Sequence, residues 1–213
     1  MITYNYPQGS SEWKESRCGV ITASNFKLAR SFLKSGPNKG DYTEAAKDYA
    51  FRVAIERMSG ELLDEGFETW QMRRGRELEP MARMAHEART GQLVQEVGFV
   101  TTEDRIFGAS ADGFIDDDGG AEYKCFVAPE KLRAILLSGD ISDVIDQCDG
   151  GMWIAGRKWW DFCLYCPALP EHRQLTVHRI HRDDNRIESL ENDLMKFAAL
   201  VAEFETELRK EAA

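Results

Sequence analysis

The chain holds no apolar run approaching the ~20 residues that a membrane-spanning helix needs, and Met1 to Ser10 lacks the basic-then-apolar pattern of a secretory signal. A cytoplasmic protein with no membrane partner is therefore expected. Cysteine is sparse and odd in number: Cys18, Cys125, Cys148, Cys163 and Cys166 argue for reduced thiols rather than a disulfide framework. Cys163-x-x-Cys166 has no second cysteine pair to complete a zinc site or a four-cysteine iron–sulfur cluster, and in a strand its two thiols point to opposite faces. Positive charge is in deficit, 27 Lys and Arg against 37 Asp and Glu, for a net charge of −10 and a pI near 5.0. That excludes a uniformly basic exterior but leaves room for a local basic groove. Lys27/Arg30/Lys34, Arg73/Arg74/Arg76, Lys131/Arg133 and Arg157/Lys158 are its candidates, though each taken alone reads more readily as a solvated face. Internal repeats and low-complexity tracts are absent.

What remains is an ordinary globular alternation of patterns. A chain of 213 residues suits one domain, 1–213, which buries roughly 70% of the surface its unfolded form exposes. Helices are expected at Ser11 to Arg17, Thr22 to Leu33 with Thr22 or Ser24 as N-cap, and Thr43 to Met58 closed by Gly60. A longer helix spans Thr69 to Thr90 and ends at Gly91, with Gly75 and Pro80 expected to kink or divide it. Strands follow at Leu93 to Thr101, Phe107 to Ile115 and Ala121 to Phe126, then helices at Pro129 to Leu137 and Ser142 to Gly156. Strands at Trp159 to Cys166 and Leu175 to His181 precede a final helix from Asp184 to about Glu211. The order predicts an α/β fold, a central mixed β-sheet flanked by helices.

The chemistry is concentrated in Gly108-Ala109-Ser110-Ala111-Asp112-Gly113-Phe114 and, across an Asp116-Asp117-Asp118-Gly119-Gly120 turn, Glu122-Tyr123-Lys124. On a hairpin, Asp112 and Glu122 come within reach of one ion. Glu122 and Lys124, two apart, share a face about 6.5 Å along the strand. Such a site of carboxylates suits Mg²⁺, a hard ion that keeps several waters, and so suits metal-assisted phosphodiester hydrolysis. Lys124 could steer or deprotonate the attacking water, or neutralise the transition state. The competing reading is an exposed hairpin whose acids favour the turn and whose lysine is a solvated edge charge.

With Arg17, Thr22-Ala23-Ser24, Glu79, Ser110-x-Asp112-Gly113, Glu122-x-Lys124 and Gln147 ahead of Met152-Trp153 in one order, the chain resembles the phage lambda exonuclease family. These are viral recombination nucleases of the PD-(D/E)XK superfamily, and the likeness runs from about Glu12 to the strand ending at His181. The resemblance implies a Mg²⁺-dependent exodeoxyribonuclease that digests one strand of duplex DNA from its 5′ end to mononucleotides and leaves a 3′ overhang. It also implies a ring-shaped homotrimer working with a single-strand annealing protein. By the same resemblance Asp112 and Glu122 are metal ligands, the Tyr123 carbonyl completes their shell, Glu79 serves a second Mg²⁺, and Lys124 is the catalytic lysine; Mn²⁺ can substitute. Two ions about 4 Å apart clamp the attacking and leaving oxygens in such sites.

Arg17, Ser24 and Ser110 match a pocket for the 5′ phosphate, where a guanidinium and hydroxyls suit phosphate oxygens. Ser24 reads equally well as a helix cap. Gln147 matches the first residue of the family's Gln-x-Gln, but Asp149 stands in the second slot, where a carboxylate could bind metal or repel the scissile group. A structure-specific or restriction-type endonuclease of the same superfamily and a non-catalytic DNA-end binding protein are the rival readings.

Overall fold

In the computed structural model, which describes residues 1–63, 69–125 and 128–210, eight strands form two four-stranded mixed sheets. The first contains β1 (Ile2–Tyr4), β2 (Ile21–Thr22), β3 (Phe99–Thr101) and β4 (Phe107–Ser110) in the order β1-β3-β4-β2, with β2 and β4 parallel. The second contains β5 (Gly113–Ile115), β6 (Gly119–Lys124), β7 (Trp159–Tyr165) and β8 (Leu175–His181) in sequence order, with β6 and β7 parallel. Seven helices of the described chain are α1 (Ser11–Arg17), α2 (Phe26–Ala29), α3 (Glu44–Ser59), α4 (Trp70–Thr90), α5 (Pro129–Arg133), α6 (Ile145–Ala155) and α7 (Asp184–Leu208).

The second sheet lies between two helices. Its residues Ala121, Tyr123 and Cys163 pack with Leu78 and Ala82 of α4, whereas Trp160, Phe162 and Leu164 pack with Cys148 and Met152 of α6. The central strand β7 is therefore buried on both faces, which its sequence, apolar but for Asp161, anticipates. Helix α6 approaches closely because it carries Gly150 and Gly151: a Cβ on the first would stand 2.4 Å from the Phe26 ring, and on the second 2.7 Å from Trp160. Helix α7 buries Ile187, Leu190, Leu194, Phe197 and Val201, a helical stripe, against α3 and α6.

Several boundaries depart from the sequence expectations. The span expected as one strand, Phe107 to Ile115, divides at Ala111 and Asp112, because its first half pairs with β3 and its second half with β6. The hairpin through 116–118 forms as expected, but Asp112 sits where the chain crosses from one sheet to the other. Leu93 to Thr101 keeps ladder pairing only from Phe99, with one bridge between Gln95 and Phe114. Helix α4 is not divided: Pro80 lies on its exposed face, where water can serve the carbonyl that loses its donor. The helix expected over Thr22 to Leu33 is a 3₁₀ turn, Ala23–Asn25, followed by the single turn of α2. Neither Thr22 nor Ser24 caps it; the Thr22 hydroxyl accepts from the Asn25 amide at 3.0 Å and bonds the Ser24 hydroxyl at 3.3 Å. Phe126 and Glu211, the expected ends of a strand and of the last helix, lie outside the described residues. All five cysteines are free thiols, with Cys163 buried in β7 and Cys166 just past its end.

Candidate active site

The sheet crossover builds the site. Asp112 donates its backbone N–H to the Ala121 carbonyl at 3.2 Å and accepts the Tyr123 N–H on Oδ2 at 2.6 Å, so its carboxylate is pinned beside Glu122. Glu122 and Lys124 project from the α6 face of β6, as their spacing predicts. The Lys124 ammonium donates to Glu122 Oε1 at 2.7 Å and to Gln147 Oε1, on the first turn of α6, at 3.3 Å. Glu79, on α4, lines the same cleft as Asp112, a space of about 460 Å³ walled by Tyr6, Pro7, Arg76 and Arg83. The structure thus brings Asp112, Glu122, Lys124, Gln147 and Glu79 together. The surface-hairpin alternative fails on burial, since Glu122 is 4% exposed.

The electrostatics of this group are those of crowded acids. Burial pushes the Asp112 carboxyl well above the usual range, and repulsion from Glu122 and Glu79 adds to it. Burial likewise raises Glu79, against the pull of Arg83. Burial works to lower Lys124, but the Glu122 carboxylate outweighs it and holds the amine firmly protonated. Lys124 is thus held as an ammonium by its carboxylate partner.

The fold family implies a divalent ion, and the donor set fits one: three carboxylates, all hard oxygen ligands, drawn together where their mutual repulsion needs a cation. Among the described residues no three acidic, imidazole or thiol side chains already stand at ligating distances. Each carboxylate is instead engaged by a local donor: Asp112 by the Tyr123 amide, Glu122 by Lys124, and Glu79 by Arg83 at 2.8 Å.

A second group lies two residues from Asp112. Helix α1, capped by Ser10, presents Trp13 and Arg17 one turn apart, and the Arg17 guanidinium donates to the Ser110 hydroxyl. Burial lowers Arg17 to about 10, which leaves it charged at neutral pH. Ser24 follows β2 and Ser110 ends β4, the parallel partner of β2, so both leave the first sheet at the same end.

Asp149 does not join the acids. It is buried, and Arg186 of α7 grips it through two bonds of 2.8 and 2.9 Å, fixing α6 against α7. Each basic patch is likewise partly consumed: Lys27 and Lys131 pair with Asp143, Arg30 with Asp146 and Asp193, Arg74 with Glu77, and Lys158 with Asp118.

Sequence reasoning missed the layer beneath β6. His86, fully buried on α4, bonds the Tyr123 hydroxyl at 3.0 Å and Asp161 at 3.1 Å, and Arg179 holds Asp161 through two bonds of 2.8 Å. Burial opposes the Asp161 charge, but these hydrogen bonds keep its pKa low. The network anchors Tyr123 between Glu122 and Lys124. The helical spacing of Glu79 and Arg83 was a usable signal for that pair; His86 and Asp161, 75 residues apart, offered none.

Two mixed sheets layered with helices, with Asp112 at the crossover between them and Glu122-x-Lys124 on β6 beside it, define an α/β protein with the PD-(D/E)XK nuclease fold. The chain belongs to the YqaJ-like viral recombinase family, whose domain model matches residues 12–158, in agreement with the resemblance to lambda exonuclease. It is similar to an alkaline exonuclease from Laribacter hongkongensis, with 32% identity over 94% of this chain and 97% of that one and a TM-score of 0.79. The same protein in complex with dAMP superposes with a TM-score of 0.80. A phage-related exonuclease from Haemophilus somnus, 16% identical over 89% of this chain and 94% of that one, shares the fold at a TM-score of 0.64. No curated protein sequence matches the chain.

Proposed function

We propose that the 213 residues act as one Mg²⁺-dependent 5′ to 3′ exodeoxyribonuclease domain, which removes mononucleotides from one strand of a DNA end and leaves a 3′ overhang for strand annealing. The observation that carries this reading is the closeness in the chain of the two groups of the site. Ser110, bonded to Arg17, and Asp112 are two residues apart, a reach of at most about 7 Å, comparable to the spacing of successive phosphates along a strand. A terminal phosphate on Arg17, Ser110 and Ser24 sets the next phosphodiester at Asp112 and Glu122, so each cut releases one nucleotide. An endonuclease has no use for a terminal-phosphate receptor at that spacing. The dAMP complex of the Laribacter hongkongensis protein supports a nucleoside monophosphate as product.

In this reading Asp112, Glu122 and the Tyr123 carbonyl would hold one Mg²⁺ and Glu79 would contribute to a second, and bound ions would supply Lewis-acid activation of water and charge stabilisation at the leaving oxygen. Mn²⁺ substitutes. Lys124 neutralises the charge developing on the phosphate, and Gln147 holds the Lys124 amine in place. A homotrimeric ring around the duplex, an annealing-protein partner and action in the host cytoplasm complete the proposal on the strength of the family. The test is incubation with 5′-labelled linear duplex and with closed circular duplex, each with Mg²⁺ or a chelator. Labelled mononucleotide from the linear DNA alone, only with Mg²⁺, is expected; cleavage of the circle would establish an endonuclease instead.

A further inference from the structure

We propose that Trp13 and Phe99 are positioning residues for the Arg17 guanidinium, an aromatic clamp that presets this cation for the terminal phosphomonoester of a DNA strand; the inference rests on the exonuclease reading above. Arg17 is held by flat faces rather than by an anion. Its Cζ lies 4.4 Å from the centroid of the Trp13 ring and 5.3 Å from that of Phe99. Its hydrogen bond goes to the neutral Ser110 hydroxyl, and among the described residues no carboxylate stands at ion-pair distance from it. Arg30, Arg57, Arg83, Arg179 and Arg186, by contrast, each bind a carboxylate.

The difference has a chemical consequence. A carboxylate would orient the guanidinium but neutralise it, whereas an aromatic face attracts the cation while leaving its charge and its remaining N–H donors for an incoming anion. Sequence and fold make the clamp rigid. Trp13 precedes Arg17 by one helical turn, and Phe99, fully buried in β3, is the direct cross-strand partner of Ser110. Ring, hydroxyl and guanidinium are thus fixed to one ladder, two residues from Asp112.

The test compares initial rates on 5′-phosphorylated and 5′-hydroxyl duplexes of one sequence, measured on a single preparation of each variant so that any unfolded fraction cancels in the ratio. Trp13→Leu should lower the preference for phosphorylated ends about tenfold, through a higher KM for them with kcat unchanged. Trp13→Phe, which keeps a ring, should retain most of the preference. Inorganic phosphate, used as a competitive probe, should inhibit Trp13→Leu about tenfold more weakly than the parent. Arg17→Ala separates the two levels. If it slows both ends equally, the terminal-phosphate reading itself falls. If it is selective for phosphorylated ends while Trp13→Leu keeps the parental ratio, or slows both ends alike, the clamp is overturned and the phosphate reading stands.

Discussion

Arg186→Met tests whether Asp149 belongs to the scaffold or to the chemistry. The Asp149 side chain is 3% exposed and Arg186 is its bidentate partner, so the substitution strands a buried carboxylate. Removing one partner of a fully buried pair costs about 3–5 kcal/mol. The Arg186 side chain is 41% exposed, so water reaches the pair and roughly 2 kcal/mol is the better expectation. For a chain of this length that lowers Tm by about 4–8 °C, read by circular dichroism in chelator. The double variant Asp149→Leu/Arg186→Met should recover most of the loss, because apolar replacement of a buried pair is close to neutral. Its nuclease rate should stay within about twofold of the parent, since residues 147 and 149 diverge by about 200° around α6 and Gln147 alone faces Lys124. An unchanged Tm in Arg186→Met would refute the packing argument. A hundredfold slower double variant with parental Tm would place Asp149 in the reaction.

Asp112→Ala and Lys124→Ala should each reduce nucleotide release on the order of 10³-fold or more, while duplex ends still bind; a variant that keeps the parental rate removes its residue from the mechanism. The raised Asp112 and Glu79 carboxyls mean that the folded chain binds more protons than the unfolded one above the ordinary carboxylate range. Their contribution to stability is therefore present at low pH and lost as pH rises through the raised values. Mg²⁺ should offset that loss, so the Tm gain on adding it should grow with pH across this window; a gain independent of pH contradicts the acidic cluster as its site. His86→Phe removes the Tyr123 hydroxyl's partner and one of the two donors to Asp161 Oδ2, which keeps Arg179, and should cost about 1–2 kcal/mol in urea unfolding. A cost under about 0.5 kcal/mol would show that the network is not an anchor.

Local pattern carried much of the fold. The bounds of β8, the Gly60 close of α3, and the shared face of Glu122 and Lys124 were all legible from spacing and capping chemistry. The break of the Phe107 to Ile115 span was not, because what divides it is a change of partner strand, and partner choice is set by distant residues. Asp149 shows the same limit: read alone it is an acid near the site, and only Arg186, 37 residues on, makes it a tie between helices. For the basic patches the solvated-face reading was available from sequence, but several of their carboxylate partners lie on other elements and were not.

The central claim is that Asp112, Glu122 and Glu79 converge on divalent metal beside a phosphate that Arg17 and Ser110 receive. An anomalous difference map from crystals soaked in Mn²⁺ and a nucleoside 5′-monophosphate measures this directly. The account predicts a metal peak bridging Asp112 and Glu122. A peak only at other residues, with these carboxylates still bound to Tyr123 and Lys124 alone, would contradict it.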